Sequence, residues 1–79
     1  MKSIQCPLIE ALADKVYMID ELDLSDKSKE QLRRLGCAVG ESFHVVSQCH
    51  NCTVVTFDDV QFAIDDVLGK KIIVKETQE

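Results

Sequence analysis

The sequence predicts a small, mainly β domain in which short strands and one short helix form a partly open barrel. A length of 79 residues supports one hydrophobic core, so we expect a single domain over residues 1–79 with its core at about residues 7–75. The core must be built from Val, Ile and Leu, because the chain has three Phe, one Tyr and no Trp. Such residues favour strands, and apolar and polar side chains alternate in the second half of the chain.

The first half of the chain is typical of a strand followed by a helix. Residues 15–22 are predicted to form a strand with apolar side chains on both faces. A helix is predicted within LSDKSKEQLRRLG, with Ser28 as its N-cap and Gln31 completing a capping box. Leu32 and Leu35 are spaced i, i+3, so we expect both to hold the helix on the barrel.

Strands dominate the second half of the chain. Gly36 is expected to end the helix in a left-handed conformation. Asp58 and Asp59 are predicted to form the tight turn of a hairpin. The remaining predicted elements are strands at residues 42–46, 53–57, 60–64 and 71–75, a helical turn at 65–69, and tails at 1–5 and 76–79. So few short strands bury their faces and hide their edges most economically in an SH3-like barrel.

The charge balance argues against nucleic acid as a partner. Fourteen acidic and nine basic residues give a formal net charge of −5, which repels phosphate backbones. No apolar stretch approaches the roughly 20 residues that span a bilayer, and residues 1–10 lack the pattern of a signal peptide. We therefore expect a cytoplasmic protein without direct membrane insertion, whose thiols are kept reduced.

Four stretches of the chain resemble one protein family. They are CPLIEALADKVYMI, LRRLGCAVGESFHVV, VQFAIDD and KKIIVKE. The second stretch is similar to a helix that ends in Leu-x-x-Leu-Gly before a Gly-containing turn and a strand, and Leu32, Leu35, Gly36 and Gly40 match it. By these motifs, roughly residues 7–75 resemble FeoA, the cytoplasmic accessory protein of bacterial ferrous-iron uptake.

This resemblance implies an SH3-like fold, no catalysis, no cofactor, and binding to the cytosolic GTP-binding region of the FeoB transporter. It leaves the oligomeric state open. Val39 stands where the family often has Pro, and Asp65 stands where it often has a basic residue. Because reversing a surface charge alters partner contacts, we carry over no individual contact and assign no catalytic, cofactor-binding or metal-binding residue.

The sharpest local motif is Cys49-His50-Asn51-Cys52, a Cys-x-x-Cys predicted to lie in the loop between the second and third strands. Two thiolates at this spacing can reach one zinc or ferrous ion. A structural zinc site needs four protein ligands, and the other candidates show no second metal-ligand spacing. Those candidates are Cys6, Cys37, His44 and His50. We therefore expect a polar hairpin tip with two exposed thiols, and keep a metal-binding or metal-sensing module as the alternative.

The other reactive residues favour structural interpretations. A thioredoxin-like role would need a helix after the Cys pair, whereas a strand is predicted there. His44 alternates with Phe43 and Val45, so its side chain is expected to face solvent. The Asp pairs at 58–59 and 65–66 fall at predicted turns, where Asp is favoured by its own local hydrogen bonds. We therefore predict that the protein is not an enzyme.

A third function class is the SH3-like domain of a metal-dependent repressor. Such a domain is normally appended to a DNA-binding domain. A net charge of −5 has the wrong sign for operator binding, so this class is the least favoured of the three.

Overall fold

The computed structural model describes residues 5–77, and six strands form one antiparallel sheet within them. The strands are β1 (Gln5–Pro7), β2 (Val16–Leu22), β3 (Ser42–Gln48), β4 (Cys52–Phe57), β5 (Val60–Asp65) and β6 (Ile72–Glu76). They are ordered β1-β6-β2-β3-β4-β5, so β1 and β5 are the two edges of a partly open barrel. Helix α1 (Asp26–Arg34) connects β2 to β3, and the single turn α2 (Asp66–Gly69) connects β5 to β6. The predicted mainly β barrel with one short helix is confirmed.

One core cluster fills the inside of the sheet. It is aliphatic, and the side chains at its centre are fully buried: Val45, Val55, Ile72 and Val74 are each 0% exposed. An aromatic row runs along one side of this core, with Phe57 stacked 4.8 Å from Phe43 and 5.5 Å from Phe62 between ring centroids. Burial of these side chains supplies the main driving force for folding.

The strand predicted at residues 15–22 is confirmed as β2, and of its two apolar faces only one is buried. Tyr17 and Ile19 are 4% and 1% exposed, whereas Val16 on the other face is 44% exposed. A register shift against β6 after Ile19 brings Leu22 back into the core. The faces differ because an antiparallel sheet in a small barrel packs one face on the core and leaves the other to solvent.

Helix α1 begins three residues earlier than predicted. Ser25, not Ser28, is the N-cap, since its backbone is extended and its Oγ accepts a hydrogen bond from the Ser28 amide at 3.3 Å. Asp26 lies in the first turn, where its negative charge is favourable near the helix N-terminus. Both serines are suitable caps, and the earlier one gains an additional helical turn.

The C-terminus of α1 explains why Leu35 is 54% exposed, contrary to the prediction that it holds the helix on the barrel. Gly36 has φ +92°, as expected, and its amide donates to the Arg33 carbonyl at 3.0 Å. The Cys37 amide donates to the Leu32 carbonyl at 3.0 Å, which completes a Schellman motif. In that motif the chain reverses after the glycine, so Cys37, rather than Leu35, joins Leu32 in the core.

The two ends of β5 behave as predicted. Asp58 and Asp59 have φ 51° and 70°, the left-handed conformations of a two-residue hairpin turn. Asp65 caps α2, because its Oδ1 accepts a hydrogen bond from the Leu68 amide at 2.8 Å. Gly69 allows α2 to lie close to Ile9 near the N-terminus, since a Cβ at position 69 would be 2.7 Å from Ile9 Cγ2.

The N-terminal part of the sheet was not predicted. β1 pairs with β6, and β1 is followed along the chain by a 3₁₀ turn over Leu8–Glu10. The predicted order of elements contains neither β1 nor this turn. Gln5 belongs to β1 and Glu76 to β6 instead of to the predicted tails; residues 1–4 and 78–79 of those tails lie outside the described residues. The pattern was missed because β1 has three residues, too few to display an alternation.

Candidate functional site

The Cys-x-x-Cys motif lies at the tip of the β3–β4 hairpin, where residues 49–52 form a segment that we call the thiol tip. Gln48 at the end of β3 is paired with Thr53 in β4, and the Cys49 amide donates to the Cys52 carbonyl at 2.8 Å. Cys49 and Cys52 therefore stand directly opposite each other, and directly opposed residues point to the same face of a hairpin. The predicted position at a hairpin tip is confirmed.

The two thiols of the tip interact with each other. Cys49 is exposed and Cys52 is half-buried, and both are free thiols. The pKa of the Cys52 thiol is raised, first by its hydrogen bond with the Cys49 side chain and then by partial desolvation and the charge of a Cys49 thiolate. The neighbouring Cys49 is therefore the main cause of the shift at Cys52.

A side-chain network anchors the thiol tip to the N-terminal part of the sheet. The Gln48 amide nitrogen donates to the Leu8 carbonyl at 3.1 Å and to the Ala11 carbonyl at 2.6 Å. Its amide oxygen accepts a hydrogen bond from the hydroxyl of Thr53 at 2.7 Å, and Thr53 is 1% exposed. Hydrogen bonds made by buried groups are costly to break, so this network restricts movement of the tip.

A second anchor comes from α2. The Asp66 amide donates to the Asn51 carbonyl at 3.0 Å, which joins the turn of the tip to the first residue of α2. The tip and its anchors surround an open cavity of about 200 Å³. Its lining includes the side chains of Ile9, Gln48, Cys49, His50, Cys52, Thr53 and Asp66.

Of the other predicted ligand candidates, His50 lines this cavity, whereas Cys6, Cys37 and His44 do not. Cys37 lies in the core, where burial raises the pKa of its thiol to about 11. Cys6 is on β1 opposite Val74, and its pKa is raised by burial and by the charges of two nearby carboxylates. His44 alternates with the buried residues of β3 and is half-buried. Within residues 5–77, no three His, Cys, Asp or Glu side chains come together as a metal site.

A second concave surface lies beside α1 and is here called the α1 groove. It has a volume of about 400 Å³ and is lined by Leu22, Asp26, Lys29, Glu30, Arg33, Ala38 and Val39. Val39 is 61% exposed, and Leu35 is exposed at the end of the same helix. Leu35 was expected to hold the helix on the barrel, but Cys37, an apolar residue directly after the capping glycine, packs in the core in its place.

No protein-family model matches the sequence, and no curated protein is significantly similar to it. Solved structures, by contrast, match its fold closely. The crystal structure of an iron uptake regulatory protein, FeoA, has a TM-score of 0.84 and 17% sequence identity, covering 94% of this chain and 100% of that one. FeoA from Chlorobium tepidum has a TM-score of 0.80 and 15% identity, covering 91% of this chain and 70% of that one.

This chain has an FeoA-like SH3 fold. The predicted SH3-like barrel and the resemblance to FeoA in fold are thereby confirmed. The same fold occurs within longer chains: a manganese-dependent transcriptional repressor has a TM-score of 0.80 and 10% identity, and the match covers 98% of this chain but 44% of that one. T. acidophilum IdeR has a TM-score of 0.80 and 17% identity, and the match covers 98% of this chain but 36% of IdeR. Across the described part of the chain, no helix is both long and apolar enough to cross a membrane.

Proposed function

We propose that this protein is a cytoplasmic, non-catalytic accessory protein of ferrous-iron uptake, which binds the cytosolic GTP-binding region of a FeoB-type transporter. The observation that carries the proposal is the extent of the FeoA match. The match covers the whole of one solved FeoA chain, whereas it covers 36% of IdeR, 37% of ScaR and 44% of the manganese-dependent transcriptional repressor. The likeness to these longer chains therefore concerns one part of each.

The α1 groove supports a role in protein binding. Its lining contains the apolar residues Leu22, Ala38 and Val39, and exposed acidic and basic side chains of α1 form a charged rim beside them. Apolar side chains surrounded by a charged rim are typical of protein interfaces, in which the centre is desolvated and the rim fixes orientation. Arg33 and Glu30 pair with each other at 2.9 Å, so part of this rim is already neutralised.

The test is a titration of the purified protein against the soluble GTP-binding region of its cognate transporter, with and without guanine nucleotide. A domain this small buries an interface at the low end of the usual range, so we expect affinity of the order of micromolar. Binding should be saturable, and the protein alone should not hydrolyse GTP. No detectable binding in either nucleotide state at millimolar concentration would refute the proposal.

A matched pair of valines tests the α1 groove. Val39→Ser should weaken binding by about tenfold, because it removes an exposed apolar side chain from the groove. Val67 on α2 is 67% exposed and lies outside the groove, so Val67→Ser is the control and should bind as the unmodified protein does. Equal losses in the two variants would show that the groove is not the interface.

A domain of a metal-dependent repressor is the second candidate, because a manganese-dependent transcriptional repressor is among the structures that share the fold. The net charge of −5 opposes direct contact with DNA phosphates. Saturable binding to duplex DNA at low salt would favour this second candidate, since the accessory protein should not bind DNA.

A further inference from the structure

We propose that Cys49 and Cys52 are the two protein ligands of an open, solvent-facing site for a soft transition-metal ion. This inference goes beyond the function proposed above, and either can fail without the other. It rests on three features of the thiol tip: the placement of the sulfurs, the rigidity of their support, and the surroundings of the cavity.

The two sulfurs are placed to act together. Cys49 and Cys52 stand opposite each other across a two-residue turn, and both line the same cavity. When a metal ion binds, both thiols release their protons to solvent, and the ion accepts both sulfurs from one side without a change in the strand register. Thiolates are soft ligands and select ions such as Zn²⁺, Cd²⁺ or Cu⁺ over Mg²⁺ or Ca²⁺.

The support of the two thiols is arranged before any ion binds. The Gln48 side chain holds the end of β3 to two backbone carbonyls of the N-terminal segment, and the Asn51 carbonyl is held by the Asp66 amide. A ligand pair fixed in this way loses little conformational freedom on binding, which favours affinity.

The surroundings leave room for further ligands. His50 and Asp66 line the same cavity as the two thiols, but in residues 5–77 they do not complete a group of three metal ligands. The described residues therefore supply two ligands, and the remaining positions on the ion face solvent. An open site of this kind can exchange its ion with a partner or accept one partner ligand.

The remaining two cysteines provide an internal comparison. Cys37 is 0% exposed and surrounded by the core, and Cys6 lies on the edge strand β1, away from the cavity. Neither has a second thiol beside it within the cavity lining. Only the tip pair has both access to solvent and a neighbouring sulfur.

The test uses Cd²⁺ alone as the probe, added to the reduced full-length protein. We expect one equivalent of Cd²⁺ per chain, with a thiolate-to-metal charge-transfer band in the ultraviolet. NMR shifts should be confined to the residues around the cavity. A large excess of Mg²⁺ should not displace the ion.

The double variant Cys49→Ser/Cys52→Ser should lose the band and the tight uptake, while Cys6→Ser keeps both. NMR signal dispersion confirms that each variant is folded, and the double variant should still bind the transporter region. A band that persists in the double variant would overturn the inference. The same holds for a band lost in Cys6→Ser, for uptake of half an equivalent, which would place the ion between two copies, and for no uptake at micromolar Cd²⁺.

Discussion

Strand β4 carries a two-residue turn at each end, and the two turns are built in opposite ways. At the β4–β5 end, Asp58 and Asp59 adopt left-handed conformations with φ 51° and 70°. At the β3–β4 end, His50 and Asn51 have no positive φ, and the tip is held from outside by Gln48 and α2. The first turn stores strain in its own backbone, whereas the second depends on distant partners.

The two turns are therefore stabilised by different interactions. A left-handed residue other than glycine costs about 1–2 kcal/mol, less for Asp, and the β4–β5 turn must offset this by packing of the strands beside it. Phe57, directly before the turn, is 3% exposed and stacks on two other Phe rings. The thiol tip has no such aromatic anchor and relies on hydrogen bonds. Each kind of support can be removed separately.

The largest expected effect is at the β4–β5 end. Phe57→Ala removes the central ring of the aromatic row and should lower the free energy of unfolding by about 3–5 kcal/mol. Val60 follows the same turn but is 55% exposed, so Val60→Ala should change it by less than about 0.5 kcal/mol. Urea denaturation measures both variants, and a loss of less than about 1 kcal/mol for Phe57→Ala would show that the turn does not depend on the row.

The next largest expected effect is a loss of stability at high pH, caused by the thiol of Cys37, which is buried, unlike the thiols of the tip. Burial raises its pKa from 9.0 to about 11, so the unfolded chain ionises this thiol first. Between about pH 9 and 11 the unfolded state binds fewer protons than the folded state, and stability falls as pH rises. The full loss is about 2–3 kcal/mol.

Comparing the unmodified protein with Cys37→Ala isolates the contribution of this thiol from all other effects of high pH. Stability is measured by urea denaturation at about pH 8 and at about pH 11. We expect the variant to lose less stability between these two values. Equal losses would mean that the thiol is not responsible.

Removal of the anchor tests the thiol tip. Gln48→Ala leaves the Ala11 carbonyl and the buried Thr53 hydroxyl without their partner, so it should destabilise the protein by about 1–3 kcal/mol. Amide hydrogen exchange should accelerate in residues 49–52 more than in β6. Gln61 on β5 is exposed, and Gln61→Ala is the matched control that should leave both measurements unchanged. Similar exchange at the tip in the two variants would contradict the role given to Gln48.

The smallest expected effects come from placing a glycine in each of the two turns separately. Asp59→Gly should stabilise the protein by about 0.5–1 kcal/mol, because it relieves a left-handed residue. Asn51→Gly should destabilise it by a similar amount, since the native conformation needs no positive φ and glycine makes the unfolded chain more flexible. Thermal unfolding followed by circular dichroism measures both, and shifts of the same sign would remove the distinction between the turns.

Much of the fold was predictable because local sequence patterns determine it. Alternation located β3, β4, β5 and β6 to within one or two residues, and the Asp58-Asp59 turn and the left-handed Gly36 followed from residue type. The same local patterns misplaced the N-cap of α1 at Ser28, because two serines three residues apart satisfy the same rule. They also placed Leu35 in the core, since an i, i+3 spacing does not reveal where a helix ends.

For the candidate site, the sequence by itself determined the Cys-x-x-Cys motif, its place in a hairpin, and the predominance of acidic residues. Only the tertiary structure decided which distant groups meet it. Gln48 reaches Ala11 across 37 positions in the chain, and Asp66 arrives at the tip through the return of β5 along β4. Periodicity records which face of a strand is apolar, but a contact between distant residues depends on strand order and register, which arise only when all the strands are packed together.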